Sequence, residues 1–172
     1  MLVNRRNNLR ELVQQVQKGF SMLEVLVTIL VLSLGLLGMA ALVTTGMRSN
    51  NVAQARSIAT QQTLDIADRM RANLAGVRAG SYDALATGIP ASNDCAAAEC
   101  TAAQMATFDH AQWNTANSRF LPGGQGAVAG NLVGGFVVTL MWTEKEMGTA
   151  TDPACPGGTP AATRCFLTRF SP

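Results

Sequence analysis

From Val25 to Val43 the chain runs for 19 residues without a charge or a side-chain amide, built mostly from Val, Leu, Ile, Gly and Ala. A helix needs about 20 apolar residues to cross the hydrocarbon of a bilayer, so this run predicts a membrane span rather than a core helix. A core helix that is apolar all round needs neighbours on every side, which a small domain does not supply. Beyond Arg48 the pattern changes. Val52, Ala55, Ala59, Thr63, Ile66 and Met70 recur at steps of three or four, with Arg48, Arg56, Asp65, Asp68, Arg69 and Arg71 mostly on other faces. That spacing predicts an amphipathic continuation of the same helix. No proline occurs before Pro90, so nothing forces a break at the membrane surface. A helix from Ser21 to Ala75 would be about 80 Å long at 1.5 Å per residue.

Four zones follow: a polar basic leader at 1–19, the apolar span at 20–45, the amphipathic continuation at 46–75 and a small globular domain at 76–172. Gly76, Gly80 and Gly88 are expected to give the flexible turn between the last two. Within the globular part, Thr101 followed by Gln104 has the form of a capping box. Met105, Phe108, Trp113, Ala116 and Phe120 then predict an amphipathic helix to about Ser118, ended by L-P-G-G-Q-G at 121–126. Residues 135–143 read as a strand from their β-branched and aromatic content. Shorter strands at 127–133 and 163–170 would complete an antiparallel meander, and D-P-A-C-P-G-G-T-P at 152–160 is loop. The fold class is α+β: a long N-terminal helix, half membrane-spanning and half amphipathic, packed on a small antiparallel sheet.

Charge sharpens the picture at the N-terminus. The whole chain carries +2, but residues 1–19 hold Arg5, Arg6, Arg10 and Lys18 against Glu11, which is +3, leaving the remainder at −1. Basic residues flanking a membrane helix stay on the cytoplasmic side, so the C-terminal domain is expected beyond the inner membrane. With no basic stripe and few aromatics, nucleic-acid binding has no footprint here. Cys95, Cys100, Cys155 and Cys165 all fall in the exported part, where an even count reads as two disulfides. Three connectivities are open, with nearest-neighbour pairing preferred. C-x4-C and C-x9-C fit structural zinc spacings poorly.

Catalytic signals are weak. His110 stands alone as the only histidine, beside Asp109 on a predicted helix, where adjacent residues point in different directions. Glycines 123, 124 and 126 lack the Lys-Ser/Thr that a phosphate loop requires. Trp113 and Trp142 read as core. Neither a catalytic residue, a cofactor box nor a metal set is predicted. Glu24 is the exception among these quiet signals, because a carboxylate at the edge of an apolar span is costly, up to about 3 kcal/mol at the centre of a membrane helix. The small residue that could mark a cleavage site precedes the apolar run instead of following it, unlike a secretory signal. Cleavage after Gly19 would create an α-amino group on Phe20, an i,i+4 neighbour of Glu24 on one helical face. The two charges could then pair within a chain or between staggered chains.

K-G-F-S-M-L-E-V-L-V-T-I-L-V-L, starting at Lys18, resembles the leader and N-terminal helix of type IV prepilins and pseudopilins. The resemblance implies that a prepilin peptidase cuts after Gly19 and N-methylates Phe20, and that Glu24 recruits the subunit into a filament by compensating a neighbouring N-terminus. G-L-L-G-M-A at 35–40, the 100–114 segment, L-P-G-G-Q-G and V-V-T-L-M-W resemble minor pilins of the type IV pilus modification kind. That implies a low-abundance subunit priming pilus assembly with other minor pilins, the major pilin and a tip adhesin, first in the inner membrane and then in the surface pilus, with roles in adhesion and twitching motility. A type II secretion pseudopilin is the alternative, and Asp152 and Glu146 are too few to argue for the loop calcium of that family. Major pilins usually have a proline midway along the apolar helix. Here Gly35 and Gly38 are the places where such a helix could melt, each about 1 kcal/mol less favourable than Ala.

Overall fold

The computed structural model describes residues 19–172. The predicted leader, up to residue 18, therefore lies outside the described residues. Contacts divide the chain into two units, one ending at Ser49 and the other running Asn50–Pro172, and each is described by itself.

In the first unit the backbone is non-helical at 19–21, and helix α1, Met22–Ala72, begins. It continues without interruption through Gly35 and Gly38. Its most apolar window has a mean hydropathy of 2.6 and none of it is buried by the chain. The helix is long and apolar enough to cross a membrane. Thr28, Ser33, Thr44 and Thr45 each donate their hydroxyl to a backbone carbonyl three or four residues back, which removes their polar cost in an apolar setting.

In the second unit the amphipathic stripe does what its spacing predicts: Ala59, Thr63, Ile66 and Met70 are buried, and Val52 and Ala55 are half-buried. The helix stops three residues short of Ala75. Asn73 interrupts it and caps a short helix α2, Leu74–Arg78, by accepting from the Gly76 amide at 3.2 Å. Gly76 is thus not the flexible turn expected of it. It is buried inside α2, where a Cβ would lie 2.6 Å from Asn73 Nδ2 and 3.0 Å from the Ala102 carbonyl, so glycine here permits close packing.

Strand β1 is only Ala84–Leu85 and has no periodicity from which to read it. Helix α3, Ala102–Phe120, opens with the predicted capping box, since Thr101 Oγ1 accepts from the Gln104 amide and Gln104 Oε1 from the Thr101 amide. Strands β2 (Gln125–Asn131), β3 (Gly135–Thr143) and β4 (Thr163–Phe170) complete one antiparallel sheet in the order β1-β2-β3-β4. β3 and β4 occupy their predicted ranges. β2 lies two residues earlier than expected because Asn131 pairs with Gly135, which places Leu132 and Val133 in the turn. Asn131 Oδ1 accepts from the amides of Val133 and Gly134 and fixes that turn, leaving Val133 98% exposed.

One face of the sheet carries Val128, Phe136, Val138, Leu140 and Trp142 into a core shared with Ile66, Met70 and Trp113. Burying each of these large side chains contributes about 1.5–3 kcal/mol. Of the residues expected to form the buried face of α3, Trp113 is fully buried but Phe120 is 60% exposed. The inward face is instead partly polar, with Asp109, His110, Asn114 and Asn117 all buried.

Candidate functional site: the helix start and the polar ties of the C-terminal unit

Ser21 opens α1. Its Oγ accepts from the Leu23 amide at 3.3 Å, and its carbonyl accepts from the amides of Glu24 and Val25. Glu24 therefore sits in the first helical turn, where a carboxylate faces the positive end of the helix dipole. It is the only charged residue between Gly19 and Met47. Gly19 and Phe20 precede the helix, and Phe20 is 83% exposed, so the bond between them lies in accessible, non-helical chain. In the uncleaved chain Phe20 lies outside α1, one residue before Ser21.

The polar residues of the second unit form three ties between its elements. His110 Nε2 lies 2.7 Å from the Ala86 carbonyl and 3.0 Å from Asn114 Nδ2, which ties the imidazole to the segment after β1 and to its own helix. Asn114 is 1% exposed and is a hub: its Nδ2 donates to the carbonyls of Gly88 (2.9 Å) and Gly126 (3.0 Å), and its Oδ1 accepts from the Gly126 amide (2.7 Å) and Asn117 Nδ2 (3.1 Å). β1 has ended by this point, and the Asn114 amide pairs with both backbone groups of Gly126 as a neighbouring strand would. Trp113 Nε1 donates to the Gln62 carbonyl at 2.8 Å and its ring covers Gly126. The glycines of the 121–126 segment thus permit a tight turn against Asn117 and the close approach of this ring.

A second tie joins α1, α2 and α3. The Tyr82 hydroxyl donates to Asp109 Oδ2 at 2.5 Å and accepts from Asn73 Nδ2, while Arg69 pairs with Asp65 and reaches Asp109 at 3.4 Å. Burial, then the adjacent Asp109 carboxylate, pushes the Tyr82 phenol far above its ordinary value. Asp109 thus faces Tyr82 and Arg69, and no dyad with His110 forms.

The third tie closes the C-terminal loop. Arg164 donates through Nε and Nη2 to both oxygens of Glu144, at 2.9 and 3.0 Å, and through Nη1 to Asp152 at 3.3 Å. The Arg164 guanidinium holds the Glu144 carboxyl below the usual range. Asp152 is lowered too, first by the Ala154 amide it accepts from, then by the Cys165 amide and Arg164. Cys155 and Cys165 are bonded across the same loop, and Cys95 is bonded to Cys100 before α3, which is the nearest-neighbour pairing. Loops this short contribute about 2–3 kcal/mol each by constraining the unfolded chain. Sequence reasoning missed Asn114 and Arg164. His110, Asn114 and Asn117, at i, i+4 and i+7 on an otherwise apolar helix face, were the available signal for the first.

Comparison with protein families gives two matches. Residues 15–40 match the prokaryotic N-terminal methylation motif, and residues 41–111 match the family of type IV pilin Tt1218. Residues 41–111 are thus similar to a type IV pilin, and the stretch before them to an N-terminal methylation motif. The motif spans Gly19, Phe20 and Glu24, and it implies processing by a prepilin peptidase in a pilus assembly context. The long N-terminal helix on a four-stranded antiparallel sheet is the α+β arrangement of a type IV pilin. No match was found among curated proteins or among solved structures.

Proposed function

We propose that this pilin-like chain is a minor pilin of the PilV kind, a type IV pilus modification protein that primes filament assembly with other minor pilins, the major pilin and a tip adhesin. The observation that carries the reading is Glu24, the only charge between Gly19 and Met47, set in the first turn of an uncovered apolar helix directly after an accessible Gly19–Phe20 bond. Prepilin peptidase cuts after Gly19 and N-methylates Phe20. Freed from the leader, the Phe20 amine is a cation that Glu24 of the same or a neighbouring chain can meet in a low-dielectric setting, where loss of either partner leaves a costly unpaired charge. Before assembly the chain spans the inner membrane once, with the basic leader cytoplasmic and Asn50–Pro172 periplasmic. Its work is packing and recruitment. Catalysis, a cofactor and nucleic acid have no part in it.

Two measurements test this. Mass spectrometry of the mature chain should show N-methylated Phe20 at its start; an intact leader in peptidase-positive cells refutes the assignment. Glu24→Gln should leave cleavage and membrane insertion intact but lower incorporation into pili by on the order of tenfold or more. Unchanged incorporation overturns the role given to Glu24. Deleting the chain should remove surface pili and leave enzyme secretion normal, whereas the reverse outcome marks a type II secretion pseudopilin.

A further inference from the structure

Strand β4 is one edge of the sheet, with the two-residue β1 at the other. The bond from the Glu144 amide to the Ala162 carbonyl fixes the phase of the β3–β4 ladder, so even-numbered residues of β4 turn their backbone groups toward β3 and odd-numbered ones turn outward. The outward groups of the first half are covered: the Cys165 amide donates to Asp152 Oδ2, and the Cys155–Cys165 disulfide lies against Thr163. In the second half, the amides and carbonyls of Leu167 and Arg169 have no partner among the described residues. Their side chains lie on the sheet face away from the core, because their β3 partners Thr139, itself 9% exposed, and Val137 alternate with the core residues Phe136, Val138 and Leu140. Leu167 is 44% exposed, and Arg169 makes no ion pair among the described residues.

We propose that the Leu167–Arg169 edge of β4 is a strand-addition site for an extended segment of another protein, apolar opposite Leu167 and acidic opposite Arg169. The occupant's class follows from the backbone. Alternating N–H and C=O groups two residues apart are complementary only to another extended polypeptide, and the unpaired guanidinium selects a carboxylate on it. The site ends where the Asp152 clasp begins, so the added strand is short. The inference concerns the second unit alone and does not depend on the pilus reading.

The test uses the full chain in detergent micelles with a labelled heptapeptide, Thr-Asp-Thr-Val-Thr-Asp-Thr, which sets Val opposite Leu167 when either Asp stands opposite Arg169, and two controls: the same peptide N-methylated at alternate amides, and one with Lys in place of both acids. Binding of the acidic peptide, with slowed hydrogen exchange at the Leu167 and Arg169 amides, is the expected result. Leu167→Pro removes an outward amide that the ladder does not use, so the fold persists, as unchanged thermal unfolding will verify. It should weaken binding about tenfold. Arg169→Glu should reverse the preference toward the Lys peptide. The proposal is overturned by equal binding of the N-methylated peptide, by indifference to Leu167→Pro, by absence of binding at millimolar peptide, or by β4-dependent self-association, which would make a second copy the occupant. The last two would identify Arg169 as a guard on the edge against pairing or as part of a homodimer.

Discussion

Replacing Asn114 by alanine removes the side-chain amide that stands in for a missing strand beside Gly126. Three backbone groups lose a partner: the Gly126 amide, held at 2.7 Å, the Gly126 carbonyl at 3.0 Å and the Gly88 carbonyl at 2.9 Å. Gly88 is exposed, so its carbonyl can turn to water. Gly126 is buried under the Trp113 ring and cannot. Two unsatisfied buried groups cost about 1–3 kcal/mol each, which puts the loss at about 3 kcal/mol or more. For a unit of this size that is a fall of roughly 10 °C in Tm. The assay is thermal unfolding of the full chain in detergent, followed by near-ultraviolet circular dichroism, because Trp113 and Trp142 are both in the core. Asn114→Asp is the sharper control. It keeps an acceptor for the Gly126 amide but sets a carboxylate oxygen against two carbonyls, and should cost more than alanine. A fall of less than about 3 °C for Asn114→Ala would refute the claim that this amide completes the sheet.

Gly126→Ala attacks the same joint from the other side: its Cβ would lie 2.3–2.7 Å from the Trp113 ring, so the indole must move and lose its bond to Gln62, lowering stability by about 1–3 kcal/mol in the same unfolding assay. For the Arg164 clasp the variable is pH. Glu144 and Asp152 have lowered pKa values, so their contribution is complete above the unfolded carboxylate range near pH 4 and is lost as pH falls through the lower folded values. Arg164→Gln should therefore lower stability by about 1–2 kcal/mol at pH 7, with a difference from the wild type that shrinks toward pH 3. Parallel Tm–pH curves for the two proteins would refute it. The effect should remain partial for Asp152, whose first support is the Ala154 amide.

The long helix, its apolar half, the stripe at Ala59–Met70, the capping box at Thr101 and Gln104, and strands β3 and β4 were all legible because each is a local regularity: an unbroken run, a 3.6-residue period, a four-residue cap or a β-branched stretch. The proposed Gly19–Phe20–Glu24 constellation stands out for a different reason. Its residues lie within six positions of one another, and a lone carboxylate beside a span stands out without any fold. What only tertiary structure decided is where backbone groups find partners across distance. β1 is too short to carry a period. β2 was misplaced by two residues because the Asn131–Gly135 closure, not hydrophobicity, sets its end. Asn114 looked like an ordinary helix residue until Gly126, twelve positions later, was placed beside it, and Arg164 acquired Glu144 and Asp152 only when the C-terminal loop folded back. Periodicity records which side of an element faces the core. It does not record which buried amide or carboxylate must be satisfied there, because that depends on where separate segments come to rest.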